Sequence, residues 1–366
     1  MLLDFFPSRS LTIYLARTFI SRILAVLLML VLVLQMLDLL SESGNILAHP
    51  GNGEAELMRY VGLRFPQLVA RFLPYAVLLA TILTLAGLSQ NSEVVAMKAA
   101  GLSAHQILAP LLLSALFFSV VSFGFNERIV TRANASLKAW VAADYGPIPD
   151  DPTLRTNMYL SDGHNILLAA RITGEGRNTV LHDVTYYIRD DRDMIVREMR
   201  GTVARYAGEG WLLENARQFD VGPATQQILT QPVMIAPDLN LAQLEIRRVD
   251  ADAETLPQLA ESISALKAAG RRTSELEGKW WHKISGPLSA LLMPLLGAVA
   301  GFGLARSGQL LARSIIGMTL GFAYFVVDNA ALAMGSFGGY PPLIAAWAPF
   351  VLFFLLGETV LIRTEE

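Results

Sequence analysis

Long runs without charge constrain this chain more than any other feature. Phe72–Leu88, Gln106–Phe125 and Ile284–Ala305 contain no Asp, Glu, Lys or Arg, and Ile23–Leu37 is almost wholly aliphatic. Ser314–Met334 and Leu343–Leu361 are of the same kind with one acid each. A helix of roughly 20 apolar residues crosses the hydrocarbon of a bilayer, so these runs read as membrane spans. The 366 residues are 53% hydrophobic and 17% charged, with a mean hydropathy of +0.43, which excludes the soluble class. A net charge of -3 with scattered Arg argues against nucleic acid as a partner. The absence of Cys excludes disulfides, thiol catalysis and Cys-ligated metals, and five His leave little for a His-rich metal site.

Charge flanking sets the expected topology. Arg9, Arg17 and Arg22 precede the first run, and no small-residue cleavage site follows before Asp38, so a retained first span with a cytoplasmic N-terminus is expected. Ser41–Gly53 reads as a turn-rich external loop. Pro66 and Pro74 predict a kinked start to the second span, about 66–88, with Arg64 and Arg71 near its outer end. The third span, 106–125, ends at Asn126–Arg132. The short basic stretch Arg306–Arg313 is expected inside and Gly335–Pro342 outside. The sum is six transmembrane helices with both termini cytoplasmic. Arg128, Arg132, Lys279 and Lys283 flank spans on the outer side, which a large translocated segment tolerates.

That segment has a different texture. Asn165–Arg171, Val180–Arg189, Met194–Tyr206 and Trp211–Val221 are strand-like, and Val184, Tyr186 and Ile188 alternate with Thr185 and Tyr187. Gly174-Glu175-Gly176, Arg189–Asp193 and Gly208-Glu209-Gly210 punctuate them as hairpin turns. The fold class is therefore a membrane α-helical bundle with an inserted, external all-β domain, a sandwich or open barrel. The division is 1–132 for spans one to three, 133–255 for the β-domain, and 256–366 for a connecting helix and spans four to six. The connecting helix, Leu256–Ala269, places Leu256, Leu259, Ile263 and Leu266 on one face, and Gly270 closes it. Trp280-Trp281 then marks a membrane boundary.

Little in the chain suggests catalysis. The phosphate-loop pattern G-x-x-x-x-G-K-[ST] is missing, as are H-E-x-x-H and G-x-S-x-G, so the chain is not its own nucleotide hydrolase of that class. His105 has no acid within a helical turn of sequence, and His164 lies in DGHN, which reads as a hairpin turn. Asp328 and Asn329 fall within the fifth span, where a carboxylate should face a bundle interior, a cavity or a partner. Gly297-x-x-x-Gly301 and Gly317-x-x-x-Gly321 permit close helix approach. Between the second and third spans lies a polar insert within Leu85–Pro110, which carries Glu93 and Lys98 and has Gly87 and Gly101 at its ends. Its periodicity places Val94, Val95 and Met97 close to one face of a short amphipathic helix, with Glu93 beside them. From periodicity alone it fits a docking helix for a soluble partner and an interfacial loop equally.

Several stretches, in order, resemble the LptF/LptG permease family of the lipopolysaccharide exporter of Gram-negative bacteria, closest to its LptG branch. They are Ser92–Gly101 (SEVVAMKAAG), Asn126-Glu127, Trp281–Pro287, Leu304–Arg313, Val327-Asp328-Asn329 and Gly339-Tyr340-Pro341-Pro342. The resemblance implies an inner-membrane permease without catalysis of its own, serving outer-membrane biogenesis. It implies a heterodimer with an LptF-like sister on an LptB-like ATPase dimer, where ATP and Mg are held; no cofactor is expected on this chain. It implies an LptC-like single-span protein, an LptA-like periplasmic bridge, and a periplasmic β-jelly roll that passes on the lipid. Ser92, Glu93, Val94, Val95, Met97, Lys98 and Gly101 would form the ATPase-coupling helix. Gln35, Asp38, Asp328 and Asn329 would line the lipid cavity or gate. Gln35 stands where such chains present a basic residue, leaving Arg64 or Arg71 to meet lipid phosphates. The alternatives are a permease or mechanotransmission subunit acting on lipoproteins or another envelope amphiphile, an intramembrane enzyme using His105, His282 or Asp328, and a scaffold without transport.

Overall fold

The computed structural model describes residues 6–147, 155–298 apart from positions 175, 191, 209, 230, 238, 240–248 and 269, and 310–363. The chain divides into two compact units, Met1–Tyr145 with Asp250–Glu366, and Gly146–Val249. The first is helical: α1 (Arg9–Ala48), α2 (Glu54–Gln90), α3 (Glu93–Ala99), α4 (Ala104–Phe125), α5 (Thr131–Ala142), α6 (Leu256–Ala268), α7 (Ser274–Ala298), α8 (Leu310–Ser336) and α9 (Pro342–Arg363).

Five of the described helical segments are long and apolar enough to cross a membrane: α1, α2, Ala104–Ala142, Ser314–Ser336 and α9. The expected fourth span begins within α7, and its continuation past Ala298, together with Gly301 and most of the basic stretch 306–313, lies outside the described residues. That stretch ends sooner than expected, since α8 already begins at Leu310.

The helices run longer than the apolar runs. The loop expected over Ser41–Gly53 is helical through Ala48, because Ile46 is fully buried against Tyr60, Leu137, Trp140 and Tyr145. Burial of that side chain, on the order of 2 kcal/mol, outweighs the helix penalty of about 1 kcal/mol for Gly44. Only residues 49–53 turn, with Asn52 Nδ2 donating to the carbonyls of Ile46 (2.8 Å) and Tyr145 (2.9 Å). The second helix likewise begins at Glu54, with both Pro66 and Pro74 inside it. Glu56 caps its start by accepting from Gly53 N at 2.7 Å.

Asn126–Arg132 does not end the third helix either. Asn126–Val130 is one π-helical turn leading directly into α5, so the domain boundary expected at 132–133 falls inside a helix. Glu127 in that turn accepts from Leu256 N (2.7 Å) at the start of α6 and lies 3.5 Å from Lys283 Nζ. A carboxylate placed at a helix N-terminus and beside a largely buried ammonium is doubly stabilised.

The second helix organises the bundle. Its buried residues Leu73, Val77, Leu78, Ile82, Leu85 and Leu88 share one core with α1, α4, α7, α8 and α9. Glycine permits the closest of these approaches: a Cβ on Gly321 would lie 2.2 Å from Leu78 Cδ2, and one on Gly297 would lie 2.7 Å from Thr81 Cγ2. Both glycines belong to the small-residue pairs seen in the sequence, and both face α2.

The second unit is an antiparallel sheet of β1 (Arg155–Asp162), β2 (Asn165–Thr173), β3 (Val180–Arg189), β4 (Ile195–Tyr206), β5 (Trp211–Glu214), β6 (Arg217–Asp220), β7 (Thr225–Ile228) and β8 (Val233–Ile235). β4 pairs β5 through Val203–Tyr206 and β6 through Arg197–Arg200 in one register, so the single strand expected over Trp211–Val221 is present but broken at Asn215, whose φ is 53°. β7 pairs β6 and β8 pairs β5, which makes the described sheet a meander. Gly201 sits at the break, where a Cβ would lie 2.5 Å from Leu213 Cδ1. One face is apolar and closed, with Leu167, Leu181, Val184, Trp211 and Leu213 fully buried. β1, β7 and β8 were not foreseen, being short or without alternation.

Candidate coupling helix and membrane cleft

The insert between α2 and α4 is built by turn chemistry. Ser92 takes a left-handed conformation (φ 59°) after α2 ends, and α3 follows at once. Gly101 (φ +88°) closes it, with Leu102 N donating to Met97 O (3.1 Å) and Gly101 N to Lys98 O (3.0 Å). That is a Schellman cap, which requires a residue without a Cβ penalty at the left-handed position. Ser103 and Gln106 then cap α4 reciprocally, Gln106 N donating to Ser103 Oγ (3.1 Å) and Ser103 N to Gln106 Oε1 (2.9 Å).

The faces of α3 differ from expectation at one residue. Val94 and Met97, three apart, are buried in the bundle core, whereas Val95 is 53% exposed. One residue along a helix is a rotation of about 100°, so Val95 joins Ala96 and Ala99 on the outer face. Glu93 is half-buried and accepts from Tyr14 Oη of α1 (3.0 Å) and from Asn91 Nδ2 (3.3 Å). The insert is thus fastened to α1 as well as to the helices it joins.

At the other end of α1 and α2, a cleft of about 940 Å³ is lined by Asp38, Glu42, Tyr60, Arg64, Gln67, Lys138 and Tyr145, among others. Arg64 grips Asp38 with two hydrogen bonds, Nη2 to Oδ1 and Nε to Oδ2, both 3.0 Å, and Tyr60 Oη donates to the same Oδ2 at 2.6 Å. A bidentate pair of this kind is strong and directional. Arg64, expected as a free cation, is neutralised within its own chain. Tyr145 Oη donates to Glu42 Oε2 at 2.9 Å, and burial, reinforced by that acceptor, pushes its phenol up to about 12.

The remaining site residues are spread over three helices. Gln35 lies on the buried stripe of α1, 6% exposed, with neither amide atom hydrogen-bonded. It therefore faces the bundle, not the outer surface. Arg71 of α2 is exposed and has no hydrogen bond or ion pair among the described residues. Asp328 of α8 is 5% exposed, with Oδ2 lying 2.9 Å from His282 Nε2 of α7 and Oδ1 without a donor. Asn329 is exposed and donates to Phe325 O of its own helix at 2.7 Å. Tyr75 stacks on Phe325 with ring centroids 3.9 Å apart, tying α2 to α8 beside these groups.

Two contacts escaped the sequence because they join distant helices. His282 meets Asp328 across 46 positions, and His105 meets Glu358 of α9 at 3.3 Å across 253. His164 sits in the β1–β2 turn as expected, exposed, 3.9 Å from Asp193.

A multi-helix membrane unit carrying a separate β-sheet unit, with a short capped helix between two spans, describes a permease whose chemistry is mechanical. Residues 13–363 match the family described as "Lipopolysaccharide export system permease LptF/LptG", and the chain belongs to that family. It is 25% identical over 358 residues to "Lipopolysaccharide export system permease protein LptG" of Escherichia coli (strain K12), covering 96% of this chain and 97% of that one. It is 24% identical over 367 residues to the protein of the same description from Haemophilus influenzae, with 96% and 98% covered. The chain is accordingly a non-catalytic permease subunit of an ABC exporter of lipopolysaccharide.

Proposed function

We propose that this chain is the LptG-like half of a heterodimeric permease that draws lipopolysaccharide from the inner membrane and passes it to its own β-unit. In this reading it spans the inner membrane six times, with both termini cytoplasmic and the β-unit, jelly-roll-like in the assembled exporter, periplasmic. The partners are an LptF-like sister, an LptB-like ATPase dimer that binds ATP and Mg, an LptC-like single-span protein and an LptA-like bridge. The observation that carries the proposal is α3, whose buried Val94 and Met97 fix it to the bundle while Val95, Ala96 and Ala99 face out. A closing ATPase dimer pressing on that face would push on α2 and α4, and through α2 on every helix of the core. Glu93 transmits the same push to α1 through Tyr14.

Arg64 being held by Asp38, the phosphate contact falls to Arg71, and Gln35, Asp38, Asp328 and Asn329 are the other residues of the lipid cavity or gate. The test is co-purification of the detergent-solubilised assembly. Val95→Arg and Glu93→Arg are expected to release the ATPase and leave the sister permease bound. An ATPase retained at wild-type level by Val95→Arg refutes the docking face.

A further inference from the structure

Arg71 and Asp328 carry complementary charges, flank the same aromatic stack, and share no ion pair. The aromatic stack of Tyr75 on Phe325 (3.9 Å) and the contact of Leu78 with Gly321 show α2 and α8 running antiparallel. One helical turn from the stack along each helix leads to Arg71 on one side and Asp328 on the other. The Tyr75 phenol lies within electrostatic range of both charges. Asp328 is nine-tenths buried, His282 occupies only its Oδ2, and Oδ1 has no donor. A buried carboxylate oxygen left without a donor is costly, and a guanidinium is the strongest remedy at hand.

Among the described residues the elements around Asp328 offer no other free cation, although Ser285 of α7, one turn from His282, is buried with an unpartnered hydroxyl. α7 contributes His282 and, one residue on, Lys283, which pairs with Glu127. α8 itself contributes Tyr324, and α9 carries no titratable group from Pro342 to Gly357.

We propose that Asp328 is the internal counter-anion of Arg71: in the empty permease its Oδ1 takes the guanidinium that a lipid phosphate holds in the loaded one. Asp328 is thereby a positioning residue for release, since its carboxylate competes with the departing headgroup and draws α2 toward α8 once the headgroup has gone. The inference rests on the reading of Arg71 as the phosphate contact. The exchange is a swing of the arginine side chain to Oδ1, while His282 stays on Oδ2.

Two measurements test it, one of them without lipid. Because the chain has no native Cys, Arg71→Cys/Asp328→Cys can be probed with a short bifunctional thiol reagent in the complete complex in nanodiscs. The variant lacks both charges, so cross-linking reports only whether the two positions come within reach of each other: it is expected in lipid-free complex, and its absence there overturns the proposal whatever the substrate proves to be. In the second, ATP-driven release of bound lipopolysaccharide is expected to slow about tenfold in Asp328→Asn, the size of one charge-assisted contact. Dephosphorylated lipopolysaccharide should show no such slowing. Tyr324→Phe, which alters a fully buried neighbour on the same helix and touches neither charge, should release at the wild-type rate. Equal slowing in both variants, or equal slowing with the dephosphorylated lipid, reduces Asp328 to a packing role. If the double-cysteine variant cross-links as expected while Arg71→Ala binds lipopolysaccharide as tightly as the wild type, the phosphate reading of Arg71 is refuted separately.

Discussion

Gly297→Ala should destabilise the bundle even though alanine is the better helix former. A Cβ at this position would lie 2.7 Å from Thr81 Cγ2 and 2.9 Å from Thr81 Cβ, below any ordinary carbon–carbon contact. Thr81 cannot step aside cheaply. It is fully buried, β-branched, and its Oγ1 donates to Val77 O at 2.7 Å, which fixes χ1. The two helices, α2 and α7, must therefore separate by several tenths of an ångström. Overpacking of this kind costs about 1–3 kcal/mol, against a helix-propensity gain of at most about 1 kcal/mol, so a net loss on the order of 1–2 kcal/mol is expected. Thr81→Ser removes Cγ2 while keeping the hydroxyl, and in the double variant most of the loss should return. Gly44→Ala is the control: it is also inside a helix, but a Cβ there meets nothing within 4 Å, so it should be neutral or slightly stabilising. The assay is thermal unfolding of the purified protein in detergent, followed by circular dichroism at matched scan rates. A Gly297→Ala protein that melts with the wild type, or a loss that Thr81→Ser does not reverse, would refute the claim that this glycine sets the distance between α2 and α7.

Asp38→Ala should cost about 1–3 kcal/mol and expose an unpaired Arg64, since the pair is only about a quarter exposed and Tyr60 loses its acceptor as well; Tyr60→Phe, which spares the ion pair, should cost less in the same melting assay. In the β-unit, Tyr186 Oη donates to Asp162 Oδ2 at 2.5 Å and is buried, and burial followed by that hydrogen bond raises its phenol well above the usual range. The folded unit therefore keeps a proton that the unfolded chain gives up above about pH 10, so stability is complete below that pH and falls as pH rises beyond it. Urea unfolding of a 146–249 fragment at pH 8 and pH 11 should show a larger loss in the wild type than in Tyr186→Phe, whose own penalty at pH 8 is about 1–3 kcal/mol.

Much of this protein was legible from its residues alone, because the bilayer admits few solutions. Charge-free runs of span length have one stable form in hydrocarbon, a helix with its backbone satisfied internally, so the helical unit and the place of the β-unit followed from counting. The insert at 92–103 was equally legible: Gly101, Ser103 and Gln106 are local signals whose hydrogen bonds close within a few residues. Side-chain pattern alone did not show where the helices end. Ser41–Ala48 and Asn126–Ala142 are helical because Ile46, Leu137 and Trp140 bury one another, a gain no local propensity contains. Nor did it show which charges are free. Arg64 and Arg71 look alike in sequence, seven positions apart on one helix, yet Arg64 is spent on Asp38 and Arg71 is not. Partners such as His282 and Asp328 lie on different helices, and only the packing of those helices brings them within 2.9 Å. Sequence decided which segments enter the membrane, a matter of transfer energy summed along the chain. Tertiary structure decided which polar groups within it are satisfied, because pairing in so dry a medium depends on geometry to within an ångström.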